Sequence, residues 1–137
     1  MKTYSPKVSE INRAWHVLDA RGLVIGRLAT QAAHLLMGKH KTTFVRHMDS
    51  GDQVVILNSQ EIGTTGKKED QKMYSRHSGY PGGFRQTVLS KMRQDNPTQI
   101  LSHAISGMLP DNKLKSGMLK RLHVVIGSEN PYAKYIK

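Results

Sequence analysis

Apolar positions in the first sixty residues are spaced as strand, helix, strand. Trp15-His16-Val17-Leu18-Asp19 reads as a first strand, closed by an Ala20-Arg21-Gly22 turn. From Gly26 to Met37, Leu28, Ala29, Ala32, Leu35 and Leu36 recur at helical spacing, and Gly38 is placed to end that helix. Gln53 to Leu57 contains the consecutive β-branched residues Val54, Val55 and Ile56, the pattern of a strand buried on both faces. Asn58 followed by Glu61 has the spacing of a capping box that opens a short helical turn. Residues 15–57 therefore predict a βαβ unit, parallel and right-handed.

The second half is less periodic. Gln71 to His77 is a candidate strand, and Ser78-Gly79-Tyr80-Pro81-Gly82-Gly83 is loop. Thr87 to Arg93 predicts a short helix. Asn96-Pro97 is an N-cap and first-turn pair ahead of Ile100, Leu101, Ala104, Ile105 and Met108, which mark one apolar face. Asn112 is placed to cap a helix carrying Leu114, Met118 and Leu119, and Leu122 to Ile126 is a last strand stopped by Gly127. The tail from Ser128 shows no period. Alternation of this kind points to a parallel or mixed sheet covered by helices.

The 137 residues predict a single domain with a modest core, since 37% are hydrophobic and 6% aromatic. Charge changes the picture more. Twenty-one Lys and Arg against ten Asp and Glu give a net charge of +11, which calls for a polyanionic partner such as nucleic acid or an acidic membrane surface. The excess is spread along the chain rather than held in a tail: 8 basic against 4 acidic residues up to position 60, and 13 against 6 afterwards. No cysteine is present, which excludes a disulfide scaffold, thiolate zinc, an iron–sulfur cluster and a cysteine nucleophile. No apolar run approaches the roughly 20 residues of a membrane span, and the first twenty residues lack a signal-peptide core. The expectation is a soluble protein of a reducing compartment.

Three basic segments are candidates for phosphate contact. The connection from Gly38 to Asp52 carries Lys39, His40, Lys41, Arg46 and His47, with no acid before Asp49. Tyr74 to Arg85 places Arg76, His77 and Arg85 around Gly79, Gly82 and Gly83. There glycines admit close backbone approach, Tyr80 offers a stacking face, and guanidiniums can fork onto phosphate oxygens. Lys113, Lys115, Lys120 and Arg121 lie on or beside a short helix. Against each stands a plainer reading: a solvated loop, a surface turn, a helix face turned to water.

Other chemistry finds little support. Neither Gly66-Lys67-Lys68 nor Gly38-Lys39 meets the Walker spacing, and Gly22 to Gly26 lacks the dinucleotide G-x-G-x-x-G pattern. The seven histidines include no H-E-x-x-H or close ligand pair, so no metal site is expected. His16 and His123 read as structural residues inside strands. No G-x-S-x-G elbow is present. Asp49 and Asp52, the close carboxylates beside Gly51, read as turn and strand-start residues.

Several blocks nonetheless match a known family. They are Trp15-His16-Val17-Leu18-Asp19-Ala20, Gly26-Arg27-Leu28-Ala29, Gly38-Lys39-His40-Lys41, Gly51-Asp52 and Thr65-Gly66-Lys67-Lys68. Most specific are Arg76-His77-Ser78-Gly79-Tyr80-Pro81-Gly82-Gly83 and Gly107-Met108-Leu109-Pro110. Over almost its full length the chain resembles the bacterial-type large-subunit ribosomal protein L-thirteen family. It departs from the family pattern at Ser50 (commonly Thr), Lys115 (commonly Gly) and Asn130-Pro131-Tyr132 (commonly a His-Pro-His pattern).

The resemblance implies an α/β fold, a three-layer α/β/α domain around a four-stranded, largely parallel sheet with long basic loops. It implies a structural, non-catalytic role without cofactor: binding large-subunit ribosomal RNA early in assembly, beside neighbouring large-subunit proteins, in the cytoplasm. No membrane or small-molecule substrate is implied. On charge and position, Lys39, His40, Lys41 and Arg46 would clamp phosphates. Lys67, Lys68, Arg76, His77 and Arg85 would frame the glycine loop with Tyr80 at its tip, and Lys113, Lys115, Lys120 and Arg121 would add a third contact. Two rivals are a small α/β enzyme acting on a phosphorylated substrate and an RNA-binding regulator outside the ribosome. A pocket with converging, pKa-shifted carboxylate and histidine groups would favour the enzyme.

Overall fold

A computed structural model describes residues 4–136. The predicted βαβ unit opens it. Strand β1 (Trp15–Asp19) and strand β2 (Gln53–Leu57) pair in parallel along their whole length, joined by helix α1 (Ile25–Met37). Leu28, Ala29, Ala32, Ala33 and Leu36 form the buried stripe of α1, and Gly38 ends it in the left-handed region at φ 78°. There a side chain would be strained and its Cβ would press on the Ser50 carbonyl.

Val54, Val55 and Ile56 are fully buried because β2 is the central strand, flanked by β1 and the short β5 (Leu122–Val124) in the order β1-β2-β5. Strand β5 is two residues shorter than predicted. Beyond Val124 the chain bends away to serve as a clasp, in which Gly127 O accepts from Asn58 N and Val125 O from Ser59 N.

The described residues thus form a three-stranded parallel sheet and a separate antiparallel pair, where the resemblance implies one four-stranded sheet. The reason is loop length. Strands β3 (Met73–His77) and β4 (Phe84–Val88) are joined by six residues, Ser78 to Gly83, and a parallel crossover needs a dozen or more. They fold back on each other as a hairpin, with Arg76 opposite Arg85 and His77 opposite Phe84. Pairing of Val88 with Met73 also moves the predicted helix start from Thr87 to Leu89: α3 spans Leu89–Asp95. A short α2 (Lys68–Gln71) precedes the hairpin and takes up the start of the predicted strand.

Helix α4 (Pro97–Met108) packs against α1 on one face of the sheet. Between them and the strands lies the core of Leu28, Leu36, Val54, Ile56, Leu101, Ile105 and Met118 of α5 (Lys115–Lys120). Met108, placed on the apolar face by periodicity, is 41% exposed at the end of α4. On the other face the C-terminal segment supplies the cover. Trp15 stacks on His123, Tyr132 and Tyr135 at centroid distances of 5.5, 5.4 and 5.3 Å.

Two predicted caps work differently. Asn58 adopts φ 57° and donates its side-chain amide to Asp19 Oδ1 at 2.9 Å, which ties the ends of β1 and β2 together instead of forming a capping box. Asn96 makes no side-chain cap, although Pro97 does open α4. Asn112 behaves as expected, its Oδ1 accepting from the Leu114 and Lys115 backbone N–H groups at 3.1 Å each.

Candidate nucleic-acid interface

The predicted basic residues divide into two populations, one tied into the fold and one turned outward. The dividing feature is the segment from Asp49 to Asp52, which lies against the end of α1 so closely that a Cβ on Gly51 would fall 1.6 Å from Leu36 O. Only glycine fits there. Its neighbours bring two carboxylates into a partly apolar setting, and such groups need counter-charges and donors.

Asp52 is 1% exposed. Its Oδ1 accepts from Ala14 N at 3.0 Å and from the Lys41 ammonium, and its Oδ2 meets His16 Nε2 at 2.9 Å and His40 Nε2 at 2.8 Å. Burial pushes this carboxyl up, but Lys41, His16 and the Ala14 N–H outweigh it and hold it at about 2. Asp49 receives both terminal nitrogens of Arg121 at 2.5 Å. The Arg121 fork is spent entirely inside the protein, donating also to Leu36 O at 3.1 Å and to Asp52 O and Gly117 O at 3.3 Å. Arg13 adds contacts to Gly51 O at 3.0 Å and Asp49 O at 3.2 Å. Of the predicted phosphate clamps, His40, Lys41 and Arg121 are therefore engaged internally, and Lys115 pairs with Asp111 at 2.6 Å.

The rest point to solvent. Lys39, Arg46, Lys67, Lys68, Arg76, His77, Arg85, Lys113 and Lys120 are exposed and make no ion pair among the described residues. The hairpin is the most organised of these features. Strand alternation puts Tyr74, Arg76, Arg85 and Thr87 on one face, with the two guanidiniums directly opposite. Like charges so placed repel. The other face carries Met73, His77 and Phe84, with Met73 and Phe84 more than half exposed. At the turn, Gly79 and Gly82 take φ 86° and 72°, and Tyr80 stands 75% exposed. Gly79 N–H donates to His77 Nδ1 at 2.9 Å, which fixes the ring against the turn.

Sequence reasoning missed Lys72, whose Nζ lies 5.3 Å from the Tyr74 ring centre at the root of the hairpin. The period of two through Lys72, Tyr74 and Arg76 is the signal that reveals it. Arg93 was also passed over, and its role is structural: it donates to Gln60 O, Ile62 O and Glu69 Oε1 at 2.9, 2.8 and 2.5 Å.

The condition set for an enzyme is met in part, since Asp52, His16 and His40 do converge. The carboxylate is nonetheless almost inaccessible and held ionised at about 2, a poor base with both oxygens occupied. No helix among the described residues is long and apolar enough to cross a membrane. Fold and charge layout define a polyanion-binding scaffold.

Comparison with known proteins makes this specific. The family described as "Ribosomal protein L13" matches residues 13–131. A "Large ribosomal subunit protein uL13" from Saccharopolyspora erythraea is 52% identical over 96% of this chain and 89% of its own length. Proteins of the same name from Dehalococcoides mccartyi and Nitratidesulfovibrio vulgaris are 51% and 52% identical, each over 97% of this chain and 93% and 92% of their own lengths. The chain belongs to the ribosomal protein L13 family, a family of structural, non-enzymatic proteins.

Proposed function

We propose that this chain, a structural constituent of the large ribosomal subunit in the bacterial cytoplasm, acts as one domain that grips large-subunit ribosomal RNA through its outward cations. The hairpin and the α2 turn lead, and the Gly38–Asp52 connection and α5 assist. Lys67, Lys68, Lys72, Arg76 and Arg85 bind phosphates, while Tyr80 and Phe84 stack or pack against bases and neighbouring proteins. Lys39, Arg46, Lys113 and Lys120 add contacts. His40, Lys41, Lys115 and Arg121 act one step back, by holding those elements in place. A role in early assembly follows from this layout, because phosphate contact by separate loops fixes RNA shape before neighbouring proteins arrive. The three-layer, four-stranded arrangement belongs to this reading too. The isolated bridges Arg21–Ile62 (antiparallel) and Val24–Gly63 (parallel), formed by the segments that follow β1 and β2, add strand-like pairing that supports it.

One observation carries the reading: Arg76 and Arg85 face each other across the hairpin, and neither pairs with an acid among the described residues. An anion between them turns a repulsive pair into a fork-and-phosphate contact. The test is filter binding of the full chain to large-subunit RNA across a salt series. Replacing both with Gln is expected to weaken binding and reduce the salt slope by about two. An unchanged slope would remove the hairpin from the interface. Failure of the tagged wild-type chain to co-sediment with large subunits through a moderate salt wash would overturn the whole reading.

A further inference from the structure

The Asp49–Asp52 segment holds a second arrangement that RNA binding leaves unused. Three potential ligand atoms, one ring nitrogen each from His16 and His40 and one Asp52 oxygen, lie within 4.8 Å of one another. They come from β1, from the turn after α1 and from the residue before β2, so nothing in their linear spacing announces them. The carboxylate is divided between two tasks. Oδ1 is occupied by the Ala14 N–H and the Lys41 ammonium, while Oδ2 is met among the described residues by the two imidazole nitrogens.

We propose that His16, His40 and Asp52 bind a first-row divalent cation, with Zn2+ the best match and water completing a tetrahedron. Two imidazoles and one carboxylate oxygen are a donor set suited to this ion, and leaving one position to solvent is a recurrent pattern. The geometry adjusts in two directions. Ligands on a tetrahedral ion with bonds of about 2.0–2.1 Å sit about 3.3 Å apart, so the 2.9 and 2.8 Å separations of the imidazoles from Asp52 open by about half an ångström, while the imidazole ligand atoms, within 4.8 Å of each other, close by at most about 1.5 Å. Lys41 and Ala14 supply the hydrogen bonds that ligating carboxylates usually receive from outside the ligand set. The imidazoles are 33% and 28% exposed, so an ion can reach a site whose carboxylate is 1% exposed. The Lys41 charge opposes a dication, and affinity is therefore expected to fall below that of a four-thiolate site. A bound ion would staple β1, the basic connection and β2 together.

The full chain, treated with chelator and dialysed, is titrated with ZnCl2 by calorimetry and followed by thermal unfolding, with Co2+ as a spectroscopic probe. The expected result is one equivalent of Zn2+ bound, a rise in Tm of about 5 °C or more at a hundredfold excess over Kd, and the visible absorption of tetrahedral Co2+. His16→Ala is expected to lose the Co2+ band and weaken Zn2+ binding at least tenfold, while His103→Ala, on exposed helix surface, changes neither. If His16→Ala fails to fold, His40→Gln serves the same comparison. Absence of saturable uptake by the wild-type chain, or binding by the cluster variant equal to wild type, would overturn the proposal.

Discussion

Arg121 shows how far a residue's role can depart from its charge. It sits in a basic run with Lys113, Lys115 and Lys120, yet its side chain is 9% exposed and all its donor directions end on Asp49 or on backbone carbonyls. Removing one partner of such a pair leaves the other charged without compensation. Arg121→Ala is therefore expected to destabilise the protein by about 3–5 kcal/mol, read as a lower urea midpoint. Arg121→Lys keeps the charge but not the planar fork and falls in between. Glu69 makes a gentler case. Hydrogen bonds from Thr64 and Arg93 lower its carboxyl below 4.5, against a smaller upward push from burial. A carboxyl lowered on folding stabilises the folded state above its unfolded value, and that contribution disappears as pH falls through the lower folded value. Wild type and Glu69→Gln should thus differ in urea midpoint at neutral pH and converge as the pH falls through the lowered folded value of the Glu69 carboxyl. A constant gap would place the effect elsewhere.

Elements that depend on local pattern were legible, and those that depend on distant partners were not. Helix α1 and strands β1 and β2 follow from period and β-branching, and their ends agree with expectation to within a residue. Strand β4 was not legible. Phe84-Arg85-Gln86-Thr87-Val88 shows no clear alternation, and it becomes a strand because β3 lies across a short glycine-rich turn. Asn58 kept its place but not its expected role, since Asp19 on the neighbouring strand offered its amide a better acceptor than the local backbone. In the candidate interface, the exposed cations were found by charge alone. The internal use of His40, Lys41 and Arg121 was hidden because their partners lie 12, 11 and 72 positions away. The hairpin has its own prediction. Opposed guanidiniums cost stability in the unbound element, so Arg76→Gln is expected to stabilise the free protein by about 0.2–1 kcal/mol while weakening RNA binding. Equal signs for the two effects, from urea midpoints and filter binding, would contradict the account.

At the scale of the whole molecule, +11 on 137 residues is a self-repelling surface kept compact by one core and by the internal ion pairs. Added salt should therefore raise the Tm of the isolated protein while lowering its affinity for RNA. The first effect is screening of like charges and the second is loss of counterion release. Thermal melts and binding isotherms over one KCl series would show the opposed trends, and parallel trends would contradict them. The clasp between Asp49 and Arg121 has a temporal side. Its two halves are separated by 72 positions, so during synthesis the acidic turn emerges well before the guanidinium that closes it. Until residue 121 is made, the 38–52 connection is held only through Asp52 and its partners His16, His40 and Lys41, and the Asp49 side of the segment has no counter-charge from Arg121.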